Sequence, residues 1–222
     1  MSLLDNESLW SKLYNGSCYD FIIHEAYQEL IPVDRAKYEM ISFSSESNFM
    51  TVPTNNMIVV HELINNLFRK SVSSLLYGAQ FAGKSSLLRM FKNTINLDSK
   101  RSVNFWTYTL KKTSTQVRRD GKNFLISPEE TAIVIEDLDL GHKSHIESMR
   151  QMIEEKMMRD DRFEEYQFEE MRILGSTRKV RQNHKILDNL AIVNILPLSR
   201  QNLETIFTDL FHRQIKTQGM NK

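Results

Sequence analysis

One stretch, Tyr77-Gly78-Ala79-Gln80-Phe81-Ala82-Gly83-Lys84-Ser85-Ser86-Leu87, constrains this chain more than any other. It contains G-x-x-x-x-G-K-S, the spacing of a phosphate-binding P-loop. Two glycines let the main chain turn back so that successive N–H groups point at an anion. In that geometry the backbone of Ala79, Gln80, Phe81, Ala82 and Ser86 helps to cradle the phosphates of ATP or ADP. Lys84 reaches the β/γ-phosphates as a point charge, and the Ser85 hydroxyl is a candidate ligand for Mg²⁺. Chance would produce the four specified positions in about one chain in a hundred of this length, so the flanks decide. Upstream, Ser73 to Tyr77 is a short uncharged run that suits a buried parallel strand. Downstream, Ser85 to Ile95 places Leu87, Leu88, Phe91 and Ile95 on one face of an expected helix. Strand, glycine loop, helix is the order phosphate binding requires.

The rest of the chain sets few limits. Its 222 residues, 41% hydrophobic and 26% charged, describe a globular chain with enough apolar residues for one sizeable core. A net charge of +1 gives no global attraction to nucleic acid or membrane, and neither is expected as a partner. The single cysteine, Cys18, excludes an internal disulfide framework and suits a reducing compartment. No run approaches the roughly 18 apolar residues of a membrane span, and the acidic start Met1 to Glu7 lacks the marks of a secretory signal. A cytosolic setting is expected.

Strands and helices alternate in the expected organisation. Phe21 to Leu30 reads as an amphipathic helix stopped by Pro32, and 42–48 as a loop and domain boundary. Val52-Pro53-Thr54 leads into a helix over Met57 to Lys70. The aromatic run Val103 to Tyr108 favours a strand. Thr131 to Ile135 is β-branched and uncharged, as a central parallel strand should be. Ile146 to Met158 reads as a helix with Met149, Met152, Ile153 and Met157 inward. Met171 to Thr177 and Leu190 to Leu198 read as two more strands, and Ser199 caps a last helix. The expected fold is α/β: a three-layer P-loop NTPase core with a parallel five-stranded sheet over 51–198. A helical and irregular lead-in, 1–50, precedes it, and the start of a helical lid, 199–222, follows.

A P-loop needs a carboxylate at the end of a neighbouring strand to organise Mg²⁺, and hydrolysis needs one to polarise water. Glu136 and Asp137 stand there, at the end of the Ile133-Val134-Ile135 strand, and are the candidate metal-binding and catalytic residues. Two registers are open. Either Glu136 takes the metal and Asp137 faces the water, or Asp137 takes the metal and Leu138 leaves no base. Both favour binding over hydrolysis. Ser176, Thr177 and Arg178 end the next strand, where a polar group can sense the terminal phosphate. Lys111, Lys112, Arg118, Arg119 and Lys122 form a basic cluster that reads first as a solvated face. His142 and His145 lack companions at metal spacing, so no zinc site is assigned.

The order of these pieces resembles the third AAA+ module of dynein heavy chains over about residues 50–213. That module typically reads V-P-T, then G-x-T-G-T-G-K-[TS], then F-[IV]-D-D-[LM]-N-M-P, then I-E-L-L-R-Q. Here the pieces are Val52-Pro53-Thr54, Gly78 to Ser85, Glu136-Asp137-Leu138-Asp139-Leu140 and Ile146-Glu147-Ser148-Met149-Arg150-Gln151. Asn194 to Ser199, followed by Leu203, Ile206 and Phe207, is similar to the module's exit toward its lid. The chain departs from the pattern at Phe81 and at Glu136-Asp137. Asp139-Leu140-Gly141 replaces N-M-P, and Gly175-Ser176-Thr177-Arg178 replaces a glycine- and proline-rich turn. Asp188-Asn189-Leu190 stands where an arginine-containing R-H-F is usual.

The resemblance implies a module that holds ATP or ADP with Mg²⁺ in a ring of neighbouring AAA+ modules, gating a motor rather than powering it. It also implies dynein intermediate and light chains and microtubules as indirect partners, and the cytoplasm, at the cytoskeleton or in a cilium, as the location. The chain has no room for the linker, the stalk or five other modules, so a fragment or a stand-alone relic is expected. An independent ring-forming remodelling ATPase and a catalytically dead ring segment are the alternatives.

Overall fold

The computed structural model describes residues 21–24, 29–32, 41–42, 50–128, 131–169, 171–179 and 188–219. Side chains before residue 51 and several near the C-terminus fall outside the description. Contacts divide the chain into two units, 64–197 and 1–63 with 198–222.

The larger unit is built on five parallel strands: β5 (Ser74–Tyr77), β6 (Thr94–Asp98), β9 (Ala132–Glu136), β12 (Arg172–Thr177) and β13 (Ala191–Asn194). Their order across the sheet is β13-β5-β12-β9-β6, so the first strand in sequence lies between the fifth and the fourth. This is the α/β architecture expected of a P-loop protein. Consecutive residues of β5, β9 and β12 are buried, as they must be in a sheet covered on both faces. Ligands of open parallel sheets bind beyond the carboxyl ends of the strands, where the order reverses. The loop after β5 lies there.

On one face of the sheet, α3 (Val103–Thr113) and α4 (Lys143–Glu154) bury Trp106, Leu110, Met149 and Met152 among Leu75, Ile95, Ile133, Ile135 and Ile173. Trp106 Nε1 also donates to the Asp98 carbonyl at 2.8 Å, pinning α3 to the end of β6. Helix α1 (Asn55–Arg69) supplies Ile64 and Phe68, and the Phe68 ring lies 5.8 Å from that of Phe91.

A second sheet, made of two hairpins, was not foreseen from the sequence. The hairpin of β7 (Thr115–Arg119) and β8 (Lys122–Ile126) turns at Asp120 and Gly121, both with positive φ. A second hairpin, β10 (Met157–Arg159) and β11 (Glu165–Phe168), joins it through a parallel β11–β8 pairing. Leu125, Met158, Tyr166 and Phe168 carry this sheet into the main core.

Several expectations are corrected. Val103–Tyr108 is helix, because Ser102 caps it, its hydroxyl accepting from Phe105 N–H at 3.3 Å. The helix after the P-loop, α2, spans only Lys84–Leu88. Ile95, expected on its face, belongs to β6, where it pairs with Ile133. The helix expected to Met158 stops at Glu154, and Met157 lies in β10. Expected strand 190–198 is the shorter β13.

In the smaller unit the helix expected over Phe21–Leu30 is an antiparallel pair, β1 (Phe21–His24) and β2 (Glu29–Pro32). The β-branched Ile22, Ile23 and Ile31 favour that extended backbone. Residues 25–28 between the strands, and 43–49 of the expected loop, lie outside the described residues. Ile41–Ser42 and Met50–Thr51 form a short pair, β3 and β4. Helix α5 (Arg200–Gly219) is capped as expected, with Asn202 N–H donating to Ser199 Oγ at 3.1 Å. It exposes Leu203, Phe207, Phe211 and Ile215 along one side.

Candidate functional site

The P-loop leaves β5 at Gly78 and enters α2 at Lys84. Gly78 has no room for a side chain: a Cβ there would run into the Ile195 carbonyl oxygen. Gly83 adopts φ +90, which favours glycine. Phe81 also takes a left-handed backbone, φ +62, with its ring 85% exposed at the loop tip. Among the described residues, the N–H groups of Phe81, Gly83, Lys84, Ser85 and Ser86 have no acceptor. A run of unpaired main-chain donors around a glycine turn is what an oxyanion needs.

Lys84 is only 7% exposed. Its ammonium donates to the carbonyls of Gly78 at 2.8 Å and Ala79 at 2.7 Å, curling over its own loop. Burial draws the Lys84 pKa below its ordinary value, Asp137 and Asp139 pull it back up, and Arg178 lowers it again. All three therefore lie within electrostatic reach of the P-loop cation.

Opposite the loop, β9 ends at Glu136. The Ser85 hydroxyl donates to Glu136 Oε2 at 2.7 Å. Asp137 follows with φ +51, ending the strand and breaking its alternation. Its N–H donates to Ser176 Oγ at 3.1 Å, and its carbonyl accepts from Ser99 Oγ at 3.2 Å. The structure thus brings Gly78, Gly83, Lys84, Ser85, Glu136 and Asp137 to the same end of the sheet. Ala79, Gln80, Phe81 and Ala82 form the loop between the glycines, and Ser86 lies in the first turn of α2.

Asp139, in the short 3₁₀ turn Leu138–Leu140, was not among the sequence candidates. Its carboxylate accepts from Arg178 N–H at 3.1 Å and from Arg178 Nε at 2.9 Å, with Nη2 also 2.9 Å away. Thr177 Oγ1 lies 3.4 Å from the same carboxylate. Burial works to raise the Asp139 pKa, but the Arg178 hydrogen bonds and charge hold it below the usual carboxylate value. Ser99 was likewise missed; nothing in its sequence neighbourhood marks it, because only the pairing of β6 with β9 brings it there.

The basic cluster is divided by the fold. Lys111 bonds Asp160 at 3.2 Å and the Tyr166 hydroxyl at 2.7 Å, while Arg119 pairs with Glu169 and lies over the Phe124 ring. Lys112, Arg118 and Lys122 are exposed. His142 caps α4, accepting from Ser144 N–H, and His145 is buried beside Trp106.

No family model and no curated protein sequence matches the chain. Among solved structures it is similar to an S. cerevisiae Hsp104–ADP complex, at 14% identity and TM-score 0.49, over 72% of this chain and 36% of that one. It is also similar to NtrX from Brucella abortus in complex with ADP, at 11% identity and TM-score 0.48, over 73% of this chain and 41% of that one. A second structure of NtrX from Brucella abortus gives 11% identity and TM-score 0.49, over 77% and 44%. The chain spans less than half the length of each. The fold assignment rests on the strand order and the glycine loop.

Proposed function

We propose that this chain is an ATP-binding AAA+ module with weak hydrolysis, similar to the third module of a dynein heavy chain and regulatory in role. The observation that carries the reading is the 2.7 Å hydrogen bond between Ser85 and Glu136, set beside a glycine loop of unpaired N–H groups. A hydroxyl and a carboxylate brought together at a P-loop form the oxygen-rich pair that Mg²⁺ binds. Ser85 and Glu136 would hold the metal, and the loop from Gly78 to Ser86 with Lys84 would hold the phosphates of ATP or ADP. Bound MgATP supplies a phosphoanhydride open to attack by water.

The chain's own groups bind and orient that nucleotide. With Glu136 engaged by Ser85, Asp137 is the carboxylate left to polarise water. Its arm is one methylene shorter than glutamate, and its backbone is tied to Ser176 and Ser99. Holding nucleotide is therefore favoured over turning it over. The resemblance over about 50–213 extends the proposal to neighbouring AAA+ modules of a ring as direct partners. Microtubules and dynein intermediate and light chains would be indirect partners, in the cytoplasm at the cytoskeleton or in a cilium.

The test is ATP binding with and without Mg²⁺ for the wild type and Glu136→Gln, together with phosphate release. Tight binding only with Mg²⁺, weakened in the variant, and slow turnover are expected. Equal binding with and without the metal, unchanged in Glu136→Gln, would remove the metal assignment.

A further inference from the structure

β7 is the outer strand of the second sheet, with β8 on one side and no strand on the other among the described residues. Asp120 and Gly121 both have positive φ, the mark of a two-residue hairpin turn closed by a hydrogen-bonded pair, here Arg119 and Lys122. Hydrogen-bonded pairs alternate along an antiparallel ladder. The main-chain groups of Thr115, Val117 and Arg119 therefore face β8, and those of Gln116 and Arg118 face outward. Neither outward N–H has an acceptor among the described residues, and both residues are exposed.

Residues 111–122 hold five cations and one acid. Lys111 is taken up by Asp160 and Tyr166, and Arg119 by Glu169. Lys112, Arg118 and Lys122 lie in solvent with no counter-ion among the described residues. Arg119 and Lys122 stand directly opposite each other, a pairing of like charges that an anion alongside would relieve. The other outer strands differ: β6 and β13 carry no cation, and Arg159 of β10 is paired with Glu165. An open edge is a template for any strand unless charge restricts it. Here the charge repels a second copy of β7 and any basic strand, and it admits an acidic one.

We propose that the outer edge of β7 is a docking site for an extended acidic segment of another protein, which joins the second sheet as a further strand. Main-chain hydrogen bonds to Gln116 and Arg118 hold the segment, and its carboxylates answer the free cations of the hairpin. The site lies on a different sheet from the P-loop, so it stands or falls apart from the nucleotide reading.

The probe is the fluorescein-labelled peptide Glu-Val-Glu-Val-Glu-Val-Glu, titrated with the full chain and followed by anisotropy. Saturable binding that weakens with added salt is expected, and none by the counterpart with lysine for glutamate. Arg118→Glu should weaken binding about tenfold or more, the scale of one charge-assisted hydrogen bond. Gln116→Pro removes an outward donor without touching a rung shared with β8, and should weaken binding about fivefold. Gln116→Ala keeps that N–H and should bind as the wild type does.

Loss of binding in Arg118→Glu with full binding by Gln116→Pro would leave only a charged patch, which overturns strand addition. If Gln116→Pro does not melt cooperatively, the peptide methylated on its main-chain nitrogens decides. That peptide keeps its charges and cannot donate, so its full binding to the wild type overturns the proposal equally. Absence of saturable binding by the unmodified peptide overturns it outright. Tighter binding of a single-stranded oligothymidylate, or a dimer of the free chain that is lost in Gln116→Pro, overturns the acidic segment as the occupant.

Discussion

Phe81 carries a left-handed backbone at the tip of the P-loop, with its ring in solvent. A bulky L-residue held there costs about 1–2 kcal/mol. The pattern G-x-T-G-T-G-K has glycine at this position. Phe81→Gly relieves the strain but adds unfolded-state freedom, so a gain of about 0.5–1 kcal/mol is expected, a rise of roughly 2 °C in a thermal melt. An unchanged or lowered Tm would mean that the ring contributes packing that outweighs the strain. Gly78 behaves in the opposite way, since Gly78→Ala would force a Cβ onto the Ile195 carbonyl and displace the loop.

Asp139 gives a pH prediction at the same scale. Its folded pKa lies below the ordinary 3.8, so the stability it contributes is present above that value and is lost as pH falls through the folded one. Asp139→Asn should therefore be less stable near neutral pH and show a shallower acid limb below about pH 4. Asp160, also lowered, keeps part of the limb in both proteins. Denaturant melts across pH check this; parallel acid limbs would contradict it.

Among the elements, α3 shows how local signals compete. Phe105, Trp106 and Tyr108 read as strand by propensity, yet Trp106, Thr107 and Leu110 are the buried positions, a helical spacing with Ser102 as cap. Tertiary burial overrode propensity, and the cap was the overlooked cue. Ser102→Ala should cost about 1 kcal/mol, measured in denaturant, because Phe105 N–H loses its acceptor; a cost near zero would show that water replaces it. The reverse happened after the P-loop. Leu87, Leu88 and Phe91 suggested a long helix, but α2 ends at Leu88 so that Thr94–Asp98 can pair with β9. A strand at the far edge of the sheet leaves only short-range alternation in sequence, and Ile95 and Leu97 fit either period. The Asp120-Gly121 turn was a legible hairpin signal passed over in favour of the charges around it.

For the whole molecule, what could be read were the pieces with strong local chemistry. The P-loop, the β-branched β9 with its acidic end, and β12 were placed correctly, and together they fix the P-loop α/β fold. The second sheet could not be read, because the parallel pairing of β11 with β8 joins hairpins far apart in the sequence and leaves no local trace. The same holds for the site. Glu136 and Asp137 were visible as a pair, but which one meets Ser85 depends on the left-handed turn at Asp137, a property of the folded strand end. Asp139 and Arg178 come together only through the pairing of β9 with β12.

The central claim is that the loop from Gly78 to Ser86 holds nucleotide phosphate through Lys84. Calorimetric titration of the full chain with MgATP, for the wild type and for Lys84→Ala, tests it most directly. The account predicts saturable one-to-one binding by the wild type and a loss of about tenfold or more in a variant that still melts cooperatively. Equal affinity in the two proteins, or no binding by the wild type at millimolar MgATP, would contradict it.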